Sequence, residues 1–214
     1  MDGLPGAPPR RSEWIDVSRP LTPATPVWPG DRAFQLDRVM TGEITTSSFA
    51  TSCHVGTHVD APGHVDATAG GVESIPLGRL IGPAEVVAVS AEVVAPEHLP
   101  AGWSPAAPRL LLRTDSHPLE APIGPGLAAL DARLVHWLAD RNVVLVGIDT
   151  PSVDPAGDLE LSAHRALGRR GMVGLEGLDL SRVAPGLYTL IALPLPLEGA
   201  EASPVRAVLL APGR

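Results

Sequence analysis

Twenty-four of the 214 residues are proline and 22 are glycine. Proline has no amide hydrogen and clashes with the preceding turn, at about 3 kcal/mol inside a helix. A chain broken this often is built from short elements, and only two stretches escape the punctuation. Gly126 to Arg141 sets Leu127, Leu130, Leu134 and Leu138 on one face at helical spacing. Leu159 to Arg169 reads as a second helix, with Asp158 as N-cap and Gly168 or Gly171 near its end. Short apolar runs bounded by Gly, Pro or charge predict strands at Ala84–Val89, Leu110–Arg113, Val143–Ile148, Tyr188–Leu193 and Val205–Leu210. The Thr- and Ser-rich run from Ile44 to Thr51 adds another. With no repeat and no linker, the reading is one mixed α/β domain over residues 13–214, preceded by a disordered leader at 1–12.

A formal charge of −8, with sixteen arginines and no lysine, gives no basic run or stripe for nucleic acid or an anionic membrane. No apolar run approaches membrane-spanning length, and the first residues lack the apolar centre of a signal peptide. Cys53 stands alone, so there is no intramolecular disulfide and no zinc–thiolate cluster. The expectation is a cytoplasmic, soluble protein whose partner is a small molecule. Aromatics make up only 3% of the chain, so each tryptophan draws notice. The Pro29-Gly30 turn presents Trp28 at the edge of a loop.

The chemistry concentrates in Cys53-His54-Val55-Gly56-Thr57-His58-Val59-Asp60-Ala61-Pro62-Gly63-His64, which holds three of the seven histidines and a carboxylate. Imidazole and carboxylate together suit zinc, manganese or a similar divalent ion. Gly56, Pro62 and the β-branched Val55, Thr57 and Val59 disfavour a single helix, so the segment reads as a loop wrapping a metal. A lone histidine would read as an ordinary satisfied residue; four such groups at this spacing point to metal. Two loop histidines and an aspartate need distant partners. His164 on the second helix and Glu176, flanked by apolar residues and glycines, are candidates, though spacing alone leaves them equally open to an ordinary role. His98 and His117, beside proline-rich turns, read as surface residues, and His136 as a helix-face residue. Arg113 and Arg206 are weaker candidates for a substrate carboxylate, and Phe49 for wall or core.

These residues resemble the metal-dependent cyclase-like hydrolases, and within them the bacterial kynurenine formamidases (arylformamidases). The resemblance runs through Asp16-Val17-Ser18-Arg19-Pro20-Leu21, Val27-Trp28-Pro29-Gly30-Asp31 and the His54–His64 motif. It continues in Gly147-Ile148-Asp149-Thr150-Pro151-Ser152, Ala163-His164-Arg165, Leu175-Glu176-Gly177-Leu178 and Ala202-Ser203-Pro204-Val205-Arg206-Ala207-Val208-Leu209. It implies a swivelling β/β/α barrel-like cyclase fold, a homodimer, and two divalent metal ions per chain, zinc foremost with manganese or cobalt as substitutes. His54 and His58 would bind one ion and His164 the other, with Asp60 and Glu176 helping to hold both. His64 would be the acid–base residue and Trp28 would line the pocket. The implied reaction is hydrolysis of N-formyl-L-kynurenine to L-kynurenine and formate, in tryptophan degradation. Two departures stand out: the Phe34–Ile44 segment is several residues shorter than the resemblance leads one to expect, and Cys53 is an unexpected neighbour for His54. A hydrolase of a cyclic amide or lactone such as isatin, and a metal-binding protein without catalysis, remain open alternatives.

Overall fold

Twelve strands and three helices follow from these short runs in a computed structural model that describes residues 14–212; the leader expected at 1–12 lies outside them. In chain order they are β1 (Trp14–Asp16), β2 (Gln35–Thr41), β3 (Ile44–Ala50), β4 (His58–Asp60), α1 (Leu77–Leu80), β5 (Ile81–Ala88), β6 (Val93–Val94) and β7 (Arg109–Arg113). There follow β8 (Ala129–Leu130), α2 (Ala132–Ala139), β9 (Leu145–Ile148), α3 (Ser162–Arg170), β10 (Val173–Glu176), β11 (Gly186–Pro194) and β12 (Ala202–Leu210). Strands β12, β11, β5, β7, β9, β10 and β4 pair in that order, and β4 pairs back onto β12 to close a ring. The run β5–β7–β9–β10 is parallel and the remaining pairings of the ring are antiparallel. Parallel neighbours require crossovers; α2 carries the chain from β7 to β9, and α3 carries it from β9 to β10. The expected mixed α/β barrel is what the chain forms.

Side chains alternate between two cores, as strand geometry demands. Leu111, Leu145, Val86 and Leu175 join a cluster with Val17, Val59 and Leu190, which fills the barrel. Their neighbours Leu110, Leu112, Val146 and Val87 point the other way and pack with Leu134, Leu138 and Leu167 of α2 and α3. Gly147 falls on the barrel side, where a Cβ would strike the side chains of Leu111 and Leu178. The ring is narrow enough at that level that one position must stay bare.

Local expectations differ from the structure in five places. The Leu127–Leu138 stripe belongs to two elements: Leu130 lies in β8, and α2 begins only after Asp131, whose carboxylate accepts the Arg133 amide at 2.8 Å. The second helix starts at Ser162; Asp158 instead accepts the Glu160 amide, and Gly171, at φ +60°, ends the helix. The metal segment is only partly a loop, because His58–Asp60 forms β4, a fully buried strand that closes the barrel. His117 is buried rather than exposed, its ring Nε2 lying 2.9 Å from the Ala121 carbonyl while its own carbonyl accepts from Arg19. The hairpin β2–β3 stands apart: every residue of β2 is exposed, and Phe49 is neither wall nor core but 60% exposed, stacked on Phe34.

Candidate metal centre

The pairing of β4 with β10 places the polar groups before any side chain is considered. His58 stands opposite Glu176 and Asp60 opposite Gly174. Opposed residues share a face, so His58, Asp60 and Glu176 project together from the outside of the barrel while Val59 and Leu175 fill its interior. A Cβ at Gly174 would meet the Asp60 Oδ2 at 3.9 Å, an ordinary contact, so the carboxylate stands just over that strand position. Gly56 turns the chain at φ +63°, where a Cβ would sit 2.6 Å from Leu21. Its carbonyl lies 3.1 Å from His58 Nδ1 and holds that ring in place. Helix α3 lowers His164 onto this face from its first turn, and the 3-10 turn Pro62–His64 brings His64 beside it.

The groups converge tightly. His54 Nδ1 lies 3.1 Å from Asp60 Oδ1, and His58 Nε2 lies 3.6 Å from the same oxygen and 3.1 Å from Glu176 Oε2. His164 Nε2 lies 3.0 Å from Asp60 Oδ2 and 3.2 Å from Glu176 Oε1. The His64 ring sits between two of these histidines, its centroid 4.4 Å from that of His54 and 5.0 Å from that of His164. Donor atoms of His54, His58 and Asp60 lie within 4.8 Å of one another, as do those of Asp60, His64 and His164. Asp60 belongs to both groups, so the cluster is able to bind metal on either side of one carboxylate.

Its electrostatics call for a cation. Asp60 and Glu176 are buried side by side, and burying carboxylates without compensation is costly. Burial lowers the affinity of His58 for a proton, but the Glu176 hydrogen bond and the charges of Asp60 and Glu176 outweigh it and push its pKa up to about 9. His164 is pushed up to about 12, burial being overcome by Glu176, Asp154 and Asp60. Asp60 is held well below the usual carboxylate range, because the His164 and His54 hydrogen bonds outweigh its burial. His64 moves the other way: burial lowers it, and with the neighbouring His54 and His164 outweighs the opposing charges of Asp60 and Glu176. Even so, the close contacts of His58 Nε2 with Glu176 and of Asp60 Oδ1 with His54 are poorly aligned, and neither buried atom has a well-formed hydrogen bond. Imidazoles and carboxylates with buried, unsatisfied donor atoms aimed at one another fit a divalent ion of the zinc, manganese or cobalt type.

A cleft of about 480 Å³ opens over this cluster, lined by His54, His58, His64, His164 and Glu176 with Trp28 at its edge. The Asp31 amide donates to the Trp28 carbonyl at 2.9 Å, closing the Pro29-Gly30 turn that sets the indole there. All seven residues singled out in the sequence therefore meet in one place. Arg113 and Arg206 do not: Arg113 donates to the Val183 carbonyl and Arg206 pairs with Asp16 on the surface. Two residues of the site had no sequence signal, Asp154 and Glu201. Asp154 Oδ2 lies 2.6 Å from His164 Nδ1, and Glu201 Oε1 lies 3.4 Å from His54 Nε2.

Residues 15–155 match the model of the family described as putative cyclase. A kynurenine formamidase from Salinibacter ruber is 43% identical over 203 residues, covering 91% of this chain and 96% of its own. One from Bacillus cereus is 38% identical over 205 residues, covering 94% and 98%. Among solved structures, a predicted metal-dependent hydrolase from Bacillus stearothermophilus superposes with a TM-score of 0.79 at 26% identity, covering 92% of this chain and 97% of that one. Isatin hydrolase A from Ralstonia solanacearum shares the fold, with a TM-score of 0.78 at 24% identity, covering 93% and 92%. The metal-ready face of β4 and β10, the closed mixed barrel and these relatives lead to one conclusion: the chain belongs to the cyclase family of metal-dependent hydrolases, on the branch of the kynurenine formamidases.

Proposed function

We propose that this enzyme hydrolyses N-formyl-L-kynurenine to L-kynurenine and formate, using two divalent metal ions, zinc in the first instance. The observation that carries the reading is the placement of His64: a half-buried imidazole wedged between the rings of His54 and His164, facing a cleft with an aromatic wall. The kynurenine formamidase relatives, similar over nearly their full length, support the substrate. His54 and His58 would hold one ion and His164 the other, with Asp60 and Glu176 helping to hold both. When bound, such ions supply Lewis acidity, polarising the formyl oxygen and making water a nucleophile near neutral pH.

The chain's own residues do the rest. The amide nitrogen departs as an aniline and needs a proton. Burial lowers the pKa of His64, so its ring is neutral and placed to take the proton the attacking water gives up and pass it to that nitrogen. Trp28 offers its face to the aryl ring, an aromatic contact adding about 0.5–1.5 kcal/mol beyond simple burial. We take the enzyme to act as a cytoplasmic homodimer on this small molecule, with no nucleic-acid or membrane partner. Among the described residues no helix is long and apolar enough to cross a membrane.

Steady-state rates on N-formyl-L-kynurenine and on isatin, measured side by side, test the substrate. A large preference in kcat/KM for the formamide is expected; a preference for the cyclic amide would replace this reading with lactam hydrolysis at the same centre.

A further inference from the structure

Each of the three histidines closest to the paired carboxylates has one nitrogen turned inward and the other held from outside. For His58 the inward atom is Nε2 and the outer hold is the Gly56 carbonyl on Nδ1, at 3.1 Å. For His164 the inward atom is again Nε2, and Asp154 holds Nδ1 at 2.6 Å. His54 is reversed: Nδ1 faces Asp60 at 3.1 Å, and Nε2 faces Glu201 at 3.4 Å. An outer acceptor fixes the tautomer of a ligating imidazole and raises its basicity, and losing it costs about 10–100-fold in metal affinity.

The two outer carboxylates are built very differently. The Asp154 side chain is 2% exposed, and its oxygens also accept the amides of Ala163 at 2.7 Å and His164 at 3.1 Å. It thereby caps α3 from outside the helix, where the residue at the cap position, Leu161, offers no side-chain hydrogen bond. One carboxylate thus fixes both the ring of His164 and the start of the helix that carries it. Glu201 is 47% exposed at the cleft mouth, the His54 ring beside it is 18% exposed, and their contact is 0.8 Å longer than the Asp154–His164 contact. A solvated carboxylate at that distance holds its imidazole weakly.

We propose that Asp154 and Glu201 are the positioning residues of two unequal metal positions: Asp154 makes the His164 position tight, and Glu201 leaves the His54–His58 position the one that exchanges its ion first. This rests on the two-ion reading above. His54 binds through Nδ1 and carries its proton on Nε2, whereas His58 and His164 bind through Nε2 and carry theirs on Nδ1.

The test uses the full-length zinc-loaded chain labelled with ¹⁵N-histidine. Long-range proton–nitrogen spectra are expected to show one zinc-bound histidine protonated on Nε2 and two protonated on Nδ1. Zinc release to a chelator of graded strength is expected in two steps. Glu201→Ala weakens the first-released ion by less than about 10-fold, below the 10–100-fold of a fully held ligand, and leaves the second unchanged. Glu201→Gln, which still accepts a hydrogen bond, recovers part of the loss. Asp154→Asn weakens the second ion instead. If that variant fails to fold for want of the α3 cap, the Glu201 pair and the tautomer pattern decide alone. Three Nδ1-protonated ligands, release of both ions in one step, or equal weakening of both ions by Glu201→Ala would overturn the inference while leaving the two-ion enzyme standing. A chain that takes up no zinc would overturn both.

Discussion

Gly177 follows Glu176 directly and sits at φ +65°, a conformation that costs a residue with a Cβ about 1–2 kcal/mol. A Cβ there would also collide with the Gly56 carbonyl oxygen, lie 2.9 Å from the Gly56 carbonyl carbon and reach 3.4 Å from the Thr57 Cα. That carbonyl is the one that orients His58. It has little freedom to retreat, because Gly56 is itself packed against Leu21 and the Thr57 hydroxyl donates to the Gly177 carbonyl at 2.6 Å. Gly177→Ala therefore adds a backbone collision to the conformational cost, for a total of about 3 kcal/mol or more. Gly126→Ala is the reference: φ is +83° and nothing lies within 4 Å of the added carbon. For a chain of this length about 1 kcal/mol corresponds to roughly 2–4 °C in Tm. The reference variant is expected to lose about 2–8 °C and keep its metal. Gly177→Ala is expected to lose more, about 6–12 °C, with reduced zinc per chain by elemental analysis. Equal Tm losses and equal zinc contents in the two variants would refute the close approach of β10 to the Gly56 turn as the element that sets His58.

Other consequences are as direct. His64→Ala should keep its bound zinc and lose roughly 10²–10⁴-fold in kcat on N-formyl-L-kynurenine; loss of one zinc instead would make His64 a ligand rather than the proton donor. Trp28→Ala should raise KM for that substrate roughly 2- to 10-fold with kcat little changed, and an unchanged KM would remove the indole from the binding wall. In metal-free protein His58 stays protonated up to about pH 9 and His164 up to about pH 12. A zinc ligand must be neutral, so loading at pH 7.5 should release about two protons per chain, read by calorimetry as a heat that changes with buffer ionisation enthalpy. Because both pKa values are raised, the stability they confer on the metal-free fold is complete below about pH 6.5, the unfolded value. It declines as pH climbs through about 9, so the Tm of chelated protein should fall between pH 7 and pH 10, and a flat profile would contradict the pairing.

The sequence carried the histidine motif plainly because its ligands are local: His54, His58, Asp60 and His64 fall within eleven residues. The central strands were legible for a similar reason. Leu110–Leu112 and Val146–Ile148 are buried on both faces, so they read as continuous apolar runs between turns. What stayed hidden depends on register. Nothing local marks the three residues of β4 as the strand that closes the barrel, yet the β4–β10 pairing is what sets Glu176 opposite His58. Strand β2 has no buried face, so it shows no alternation to read. The stripe from Leu127 to Leu138 continued a helical period across β8 because a buried strand and a buried helix both demand leucine. Asp154 and Glu201 are single acidic residues among 24, and only the fold brings them to His164 and His54. His117 looked like a turn residue, but the Arg19 guanidinium gathers its carbonyl with those of Asp149 and Gly177 and draws the turn inward.

Formate release from N-formyl-L-kynurenine, followed with and without chelator and paired with metal content per chain, bears on the whole reading at once. Turnover that chelator abolishes and zinc restores, with about two ions per chain as proposed for the donor groups that share Asp60, is the predicted result. Undiminished formate release from chain stripped of metal would contradict a metal-dependent hydrolase outright.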